Sequence, residues 1–143
     1  MARENDLVIR GGHVVTPNGV VQGDLAIHDS KIVSVGEYVS GVQEIDATGK
    51  WVMPGGVDAH AHIEQMSGMG VMNADTFETA TRSAAMGGTT SVISFAAQAK
   101  GEALAQTVVN YSARAARGAM IDYAFHLTLT DLDPEGFKSD LGI

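Results

Sequence analysis

Residues 54–62 read Pro54-Gly55-Gly56-Val57-Asp58-Ala59-His60-Ala61-His62. The Pro-Gly-Gly triplet is a turn signal, and Val57–His62 reads as a strand. Alternate side chains of a strand share a face. Asp58, His60 and His62 are therefore expected on one side, and Ala59 and Ala61 on the other. Two such imidazoles lie about 7 Å apart along a strand. They converge on one cation if the strand twists or ends there. Neutral imidazole suits zinc, manganese, iron or nickel. A histidine in a strand more often packs than binds metal. Here the preceding turn, the aspartate on the same face and a position at the head of a βα series favour the metal reading.

That series follows directly. A Gly- and Met-rich loop, Ile63–Ala74, leads to Asp75 as N-cap, with Glu78 three residues on as the capping partner. The helix Thr76–Met86 stops at Gly87-Gly88. Thr89–Phe95 is β-branched and apolar, fitting a buried strand. Glu102–Arg117 is a helix with Leu104, Val108, Tyr111 and Ala115 on one face. Ile121–Thr130 is a third strand, and Asp133-Pro134-Glu135 opens a third helix. The order βα, βα, βα implies parallel strands with crossover helices. Active sites of such folds form at the C-terminal ends of the strands, where His60 and His62 fall.

Upstream of residue 54 the rhythm differs. Leu7–Arg10, a Gly11-Gly12 turn, His13–Thr16, a Pro17-Asn18-Gly19 turn, Val20–His28 and Lys31–Val35 follow one another. Gln43–Asp46 and Lys50–Met53 complete the segment. Short strands at this spacing suggest a small antiparallel sheet or sandwich. The expected domains are residues 1–53 and 54–143.

Pro54–His62 resembles the metal-binding signature of the amidohydrolase superfamily. His62-Ile63-Glu64, Gly87-Gly88-Thr89-Thr90 and Asp122-Tyr123-Ala124-Phe125-His126 resemble the dihydropyrimidinase/hydantoinase branch. Val8-Ile9-Arg10-Gly11-Gly12 and Ile45-Asp46-Ala47-Thr48-Gly49-Lys50 resemble that family's small β-domain. The fold class this implies is α/β: the N-terminal part of a composite β-sandwich, then the first three βα units of a (β/α)8 barrel. The resemblance implies a cyclic amidohydrolase that opens a ring amide of a cyclic ureide or imide. Allantoinase and dihydroorotase chemistry are alternatives. So is a non-catalytic, oligomerising dihydropyrimidinase-related protein.

The same resemblance assigns His60 and His62 to one of two divalent metals, two Zn per full-length subunit, with Mn, Fe or Ni as alternatives. Asp58 orients those ligands. A carboxylated lysine, two further histidines and a catalytic aspartate come from later strands. Met66 and Met69 sit where the family has a substrate loop; the alternative is that they pack a helical turn. The four lysines, Lys31, Lys50, Lys100 and Lys138, fall off the strands expected after residue 54. Gly142-Ile143 reads as the approach to a fourth strand. The lysine that bridges the two metals and the catalytic aspartate are thus expected beyond residue 143, and the chain is expected to be an inactive N-terminal fragment. His126 is placed near the start of the third strand, in a structural role. Asp131 and Asp133 are read as turn and cap residues, and His13 and His28 as packing or surface residues. The family is commonly tetrameric.

Composition bounds these readings. The 143 residues carry 9 Lys+Arg and 17 Asp+Glu, a net charge of −8. That balance argues against a nucleic-acid partner. The absence of cysteine excludes thiolate metal sites and disulfides. Residues 1–10 lack the apolar stretch of a signal peptide, and no run is long enough to span a membrane; a cytoplasmic location is expected. A (β/α)8 barrel typically takes about 250 residues, more than this chain holds.

Overall fold

The computed structural model describes residues 5–131 and 136–138. The helix start at Asp133, Pro134 and Glu135 and the strand approach at Gly142 and Ile143 lie outside the described residues. The chain divides into two compact units after Pro54.

The first unit holds β1 (Asn5–Thr16), β2 (Gly19–His28), β3 (Lys31–Val35), β4 (Gly41–Asp46) and β5 (Trp51–Val52). One sheet has the order β3-β2-β1-β4, and β5 also pairs with β1. Two expectations change. Gly11-Gly12 does not end the first strand; β1 runs through it, and the register with β2 shifts between Ile9 and Gly12. The extra residue is absorbed by Gly11 at φ 63°, whose N–H donates to Asp24 Oδ1 at 3.0 Å. Glycine suits that left-handed position because it has no Cβ to clash. The sheet is also mixed rather than antiparallel. β4 and β5 follow one another along the same edge of β1, both parallel to it. Turn residues mark where the chain bends, but the edge it then pairs with is set by distant residues. Arg10 bridges Asp24 at 2.5 Å and also pairs with Glu44, while its guanidinium lies 4.6 Å from the Tyr38 ring centroid.

The second unit holds β6 (Gly56–Ala61), α1 (Phe77–Met86), β7 (Thr89–Ala97), α2 (Leu104–Ala116) and β8 (Asp122–Thr128). The strands form a parallel sheet in the order β6-β7-β8, with α1 and α2 as the crossovers. On β7, Val92, Ser94 and Ala96 are buried, whereas Ser91, Ile93, Phe95 and Ala97 are half-buried. Period-two alternation thus gives one face to the helices and leaves the other open. The core is Ile63, Phe77, Val92 and Ala115, with Ala80, Ile121 and Phe125 packed around it.

Both helix starts differ in detail from expectation. Thr76, not Asp75, caps α1: Thr79 N–H donates to Thr76 Oγ1, and Thr79 Oγ1 accepts from Thr76 N–H. Asp75 instead accepts the Thr79 hydroxyl, and Glu78 pairs with Arg82. α2 begins at Leu104, and Glu102 lies just outside it. The Glu102 carboxylate accepts from Thr107 Oγ1 at 2.8 Å, Ala99 N–H at 3.2 Å and Asn110 Nδ2 at 2.7 Å. The buried face of α2 is Leu104, Thr107, Tyr111 and Ala115. Val108 is 40% exposed, because Thr107 satisfies its hydroxyl locally and takes the inward position.

Candidate metal centre

The C-terminal end of β6 departs from a regular ladder. Asp58 pairs with Val92 and Ala61 with Ser94, so three steps on β6 face two on β7. One extra residue is accommodated at Ala59-His60, a β-bulge. Bulges leave backbone groups without ladder partners, and those groups need others. Here side chains supply them. Ala59 C=O accepts from His126 Nε2 at 3.0 Å, and His60 N–H donates to Asp58 Oδ1 at 3.0 Å. Ser94 Oγ donates to Ala61 C=O and accepts from Ile63 N–H, both at 3.2 Å. Asn73 Nδ2 donates to His62 C=O, and Asn73 Oδ1 accepts from Gln65 N–H at 2.8 Å.

The bulge brings the two imidazoles together. The His60 and His62 ring centroids are 5.4 Å apart at 71°. Phe95, on the open face of β7, lies 4.6 Å from His60 and stacks on His62 at 4.8 Å and 13°. His62 Nδ1 is 2.7 Å from Gln65 Oε1. A carbonyl oxygen only accepts, so His62 Nδ1 is the donor in this contact, and in the neutral ring that tautomer leaves the Nε2 lone pair available. A metal-ligating histidine is held in the same way, by an acceptor on its other nitrogen. Both imidazoles are exposed. They fit two positions of a divalent-ion site, fewer than the three or four protein ligands zinc takes.

Asp58 does not join them as a third convergent ligand. Its carboxylate holds the His60 backbone, so its orienting effect runs through the main chain. His126 is not near the start of its strand. It is the fifth residue of β8 and lies opposite Phe95, with its ring 5.1 Å from that ring. The strand also ends at Thr128, two residues short of the expected Thr130. Met66, Met69 and Met72 are exposed, and Met69 is 88% so. No helix forms between residues 63 and 75; Met66 and Met72 make an isolated antiparallel bridge. Met66, together with His62, Gln65, Ser67, Gly68 and Asn73, lines a cavity of about 250 Å³. Met69 is not among its lining residues. Asp131 accepts Gly101 N–H at 2.8 Å, consistent with a turn role, and Asp133 lies outside the described residues.

Among the described residues, three ligand-type side chains converge within 4.8 Å at Asp6, His28 and Asp29. There Asp6 faces His28 Nδ1 and Asp29 faces Nε2. Exposed acidic side chains commonly cluster without an ion, so the cluster carries no functional reading here.

Reading the sequence did not identify Gln65, Ser94, Asn73 or Phe95. The available signal for Phe95 and His126 was register: adjacent parallel strands place them side by side. Gln65 and Asn73 carried no signal of their own in a loop without periodicity.

The chain aligns with curated proteins over most of its length. It is 40% identical over 127 residues to a D-hydantoinase from Ralstonia pickettii, covering 88% of this chain and 28% of that protein. It is 34% identical over 137 residues to the dihydropyrimidinase of Rattus norvegicus, covering 91% and 26%. A solved D-hydantoinase structure superposes with a TM-score of 0.88 at 38% identity, over 96% of this chain and 31% of that one. The chain is a homologue of the hydantoinases and dihydropyrimidinases. No protein-family model matches it. It spans less than a third of the length of these hydantoinase relatives. Over the described residues its architecture is that of the barrel enzymes to which the solved hydantoinase chains belong.

Proposed function

We propose that this chain forms part of a metal-dependent cyclic amidohydrolase of the hydantoinase and dihydropyrimidinase type. His60 and His62 are its metal ligands, and Asp58 fixes the His60 backbone. The observation that carries this reading is the pairing of two exposed imidazoles at the end of a parallel strand, one locked by Gln65 with Nε2 free. The substrate class is a cyclic ureide or imide. His60 and His62 would hold a divalent metal, which would supply Lewis-acid polarisation of the ring carbonyl and a lowered pKa for an attacking water. The residues of this chain hold and orient: Gln65 sets the tautomer of His62, and Phe95 backs both rings. The cavity beside Met66 and His62 is the proposed place for the substrate ring, and Met69 belongs to the same loop without lining that cavity.

The remaining ligands, including the bridging lysine and the catalytic aspartate, belong to residues outside these 143. The site takes two zinc ions per full-length subunit. The whole protein is a homotetrameric cytoplasmic enzyme, with a composite β-sandwich at residues 1–53 and a (β/α)8 barrel from residue 54. The isolated chain is inactive. Metal analysis of the full-length protein and of its His60→Ala/His62→Ala variant tests the site; bound zinc is expected in the first and lost in the second. Equal zinc in both would remove these histidines as ligands. Turnover of hydantoin or dihydrouracil by the 143 residues alone would overturn the proposed inactivity.

A further inference from the structure

We infer that His126 is a positioning residue for His60. It acts by clamping the peptide group between Ala59 and His60. That peptide has two polar ends, and each is held by a side chain. Its C=O accepts from His126 Nε2 at 3.0 Å, and its N–H donates to Asp58 Oδ1 at 3.0 Å. A trans peptide is planar and its C=O and N–H point in opposite directions. Bonds at both ends therefore stop the plane from turning about its flanking Cα atoms.

The bond from His126 crosses the sheet. β6 and β8 are not neighbours; β7 lies between them. The imidazole passes beside Phe95, ring centroids 5.1 Å apart, to reach β6 from β8. The clamp sits at the bulge, where the β6–β7 register gains one residue and the ladder offers no fixed partner. The orientation of this one peptide sets φ of His60, and φ decides which rotamers the His60 ring can adopt. His126 thus acts on the ring through the backbone, at the residue where regular pairing fails.

Because Ala59 offers only a carbonyl oxygen, the structure requires a proton on His126 Nε2. This requirement holds with or without metal. The consequence for metal binding rests on the proposed function of His60 and His62, and the test separates the two.

The first measurement is nitrogen-15 NMR of the His126 ring in the wild-type chain, without metal. Nε2 protonation is expected; a ring protonated at Nδ1 alone overturns the inference. The second is amide hydrogen exchange at His60. Slowed exchange is expected in the wild type, with faster exchange in His126→Leu. Unchanged exchange in His126→Leu counts against the clamp. The third is zinc affinity by competition with a chromogenic chelator. Partners that orient ligands are worth about 10–100-fold in affinity, and that loss is expected for His126→Leu at a similar melting temperature. His126→Gln, whose amide nitrogen also donates, is expected to recover most of it. Zinc bound equally tightly by His126→Leu and wild type overturns the inference. If His60→Ala/His62→Ala binds zinc as the wild type does, the metal reading fails, and the ring tautomer and amide exchange decide the clamp alone.

Discussion

Removing the Glu64 side chain should loosen the loop that follows His62. Glu64 stands at φ 49°, an uncommon conformation for a residue with a side chain. Its contacts offset that cost. Oε2 accepts the Phe77 N–H, the first of α1, at 3.2 Å, and Oε1 pairs with Arg117 Nη2 at 2.6 Å. Its C=O accepts from Arg114 Nη1 at 2.8 Å, which any side chain at this position would leave intact. Losing an acceptor at a helix N-terminus costs about 1 kcal/mol. The Arg117 side chain is 64% exposed, so the ion pair adds only about 0.2–1 kcal/mol. Glu64→Ala should therefore destabilise by about 1–2 kcal/mol. In a unit of this size that lowers Tm by roughly 5–12 °C. Glu64→Gln keeps an acceptor for Phe77 and should lose less than half as much. Urea unfolding followed by circular dichroism measures all three proteins, with Arg117→Ala as control. If Glu64→Ala unfolds like wild type, or Arg117→Ala costs as much as Glu64→Ala, the cap is not what anchors this loop.

Three further outcomes follow from the same geometry. A Cβ at Gly55 would lie 2.1 Å from Thr90 Oγ1, so Gly55→Ala should destabilise by about 1–3 kcal/mol, measured by urea titration. Gln65→Leu removes the acceptor on His62 Nδ1 and should weaken zinc binding about 10-fold at unchanged stability, read by chelator competition. Asp24 is held below the usual carboxylate range by the Gly11 N–H and by Arg10, and Glu102 by the Thr107 hydroxyl and the Ala99 N–H. The folded state then binds fewer protons than the unfolded state as pH falls through this range. Stability from both groups should be present above about pH 4 and be lost below it. Thermal melts from pH 7 to pH 2.5 should show a shallower acid loss in Asp24→Asn.

The second unit was the more legible half because its signals are local. Gly87-Gly88, the β-branched run from Thr89 and the apolar spacing of α2 each lie within one element. Connection order then fixed parallel pairing, since a helix between strands carries the chain back to the starting edge. In the first unit the turns were visible, but the mixed pairing of β4 and β5 depends on which edge of β1 they reach. That choice is made by residues far apart, such as Arg10 with Asp24 and Glu44. Gly11-Gly12 misled for a related reason. The same dipeptide serves a turn or a bulge, and only the partner, here the Asp24 carboxylate, distinguishes them.

The site shows the same division within a few residues. Two histidines two positions apart were readable as a candidate metal pair, but their meeting depends on a bulge that period-two alternation does not describe. Once the ladder is broken, Ala59 C=O, His60 N–H, Ala61 C=O, His62 C=O, Ile63 N–H and Gln65 N–H are each met by a side chain. Those side chains come from Asp58, Asn73, Ser94 and His126, on three strands and one loop. A regular ladder holds its backbone whatever the side chains are, so it tolerates substitution. This segment is held by identity at four positions, and Ser94 is fully buried while serving two of the bonds. The rigidity that the proposed metal ligands need is therefore written largely in Asn73, Ser94 and His126, which lie outside the motif. The motif points to the proposed site, and its geometry is set by residues up to 67 positions away.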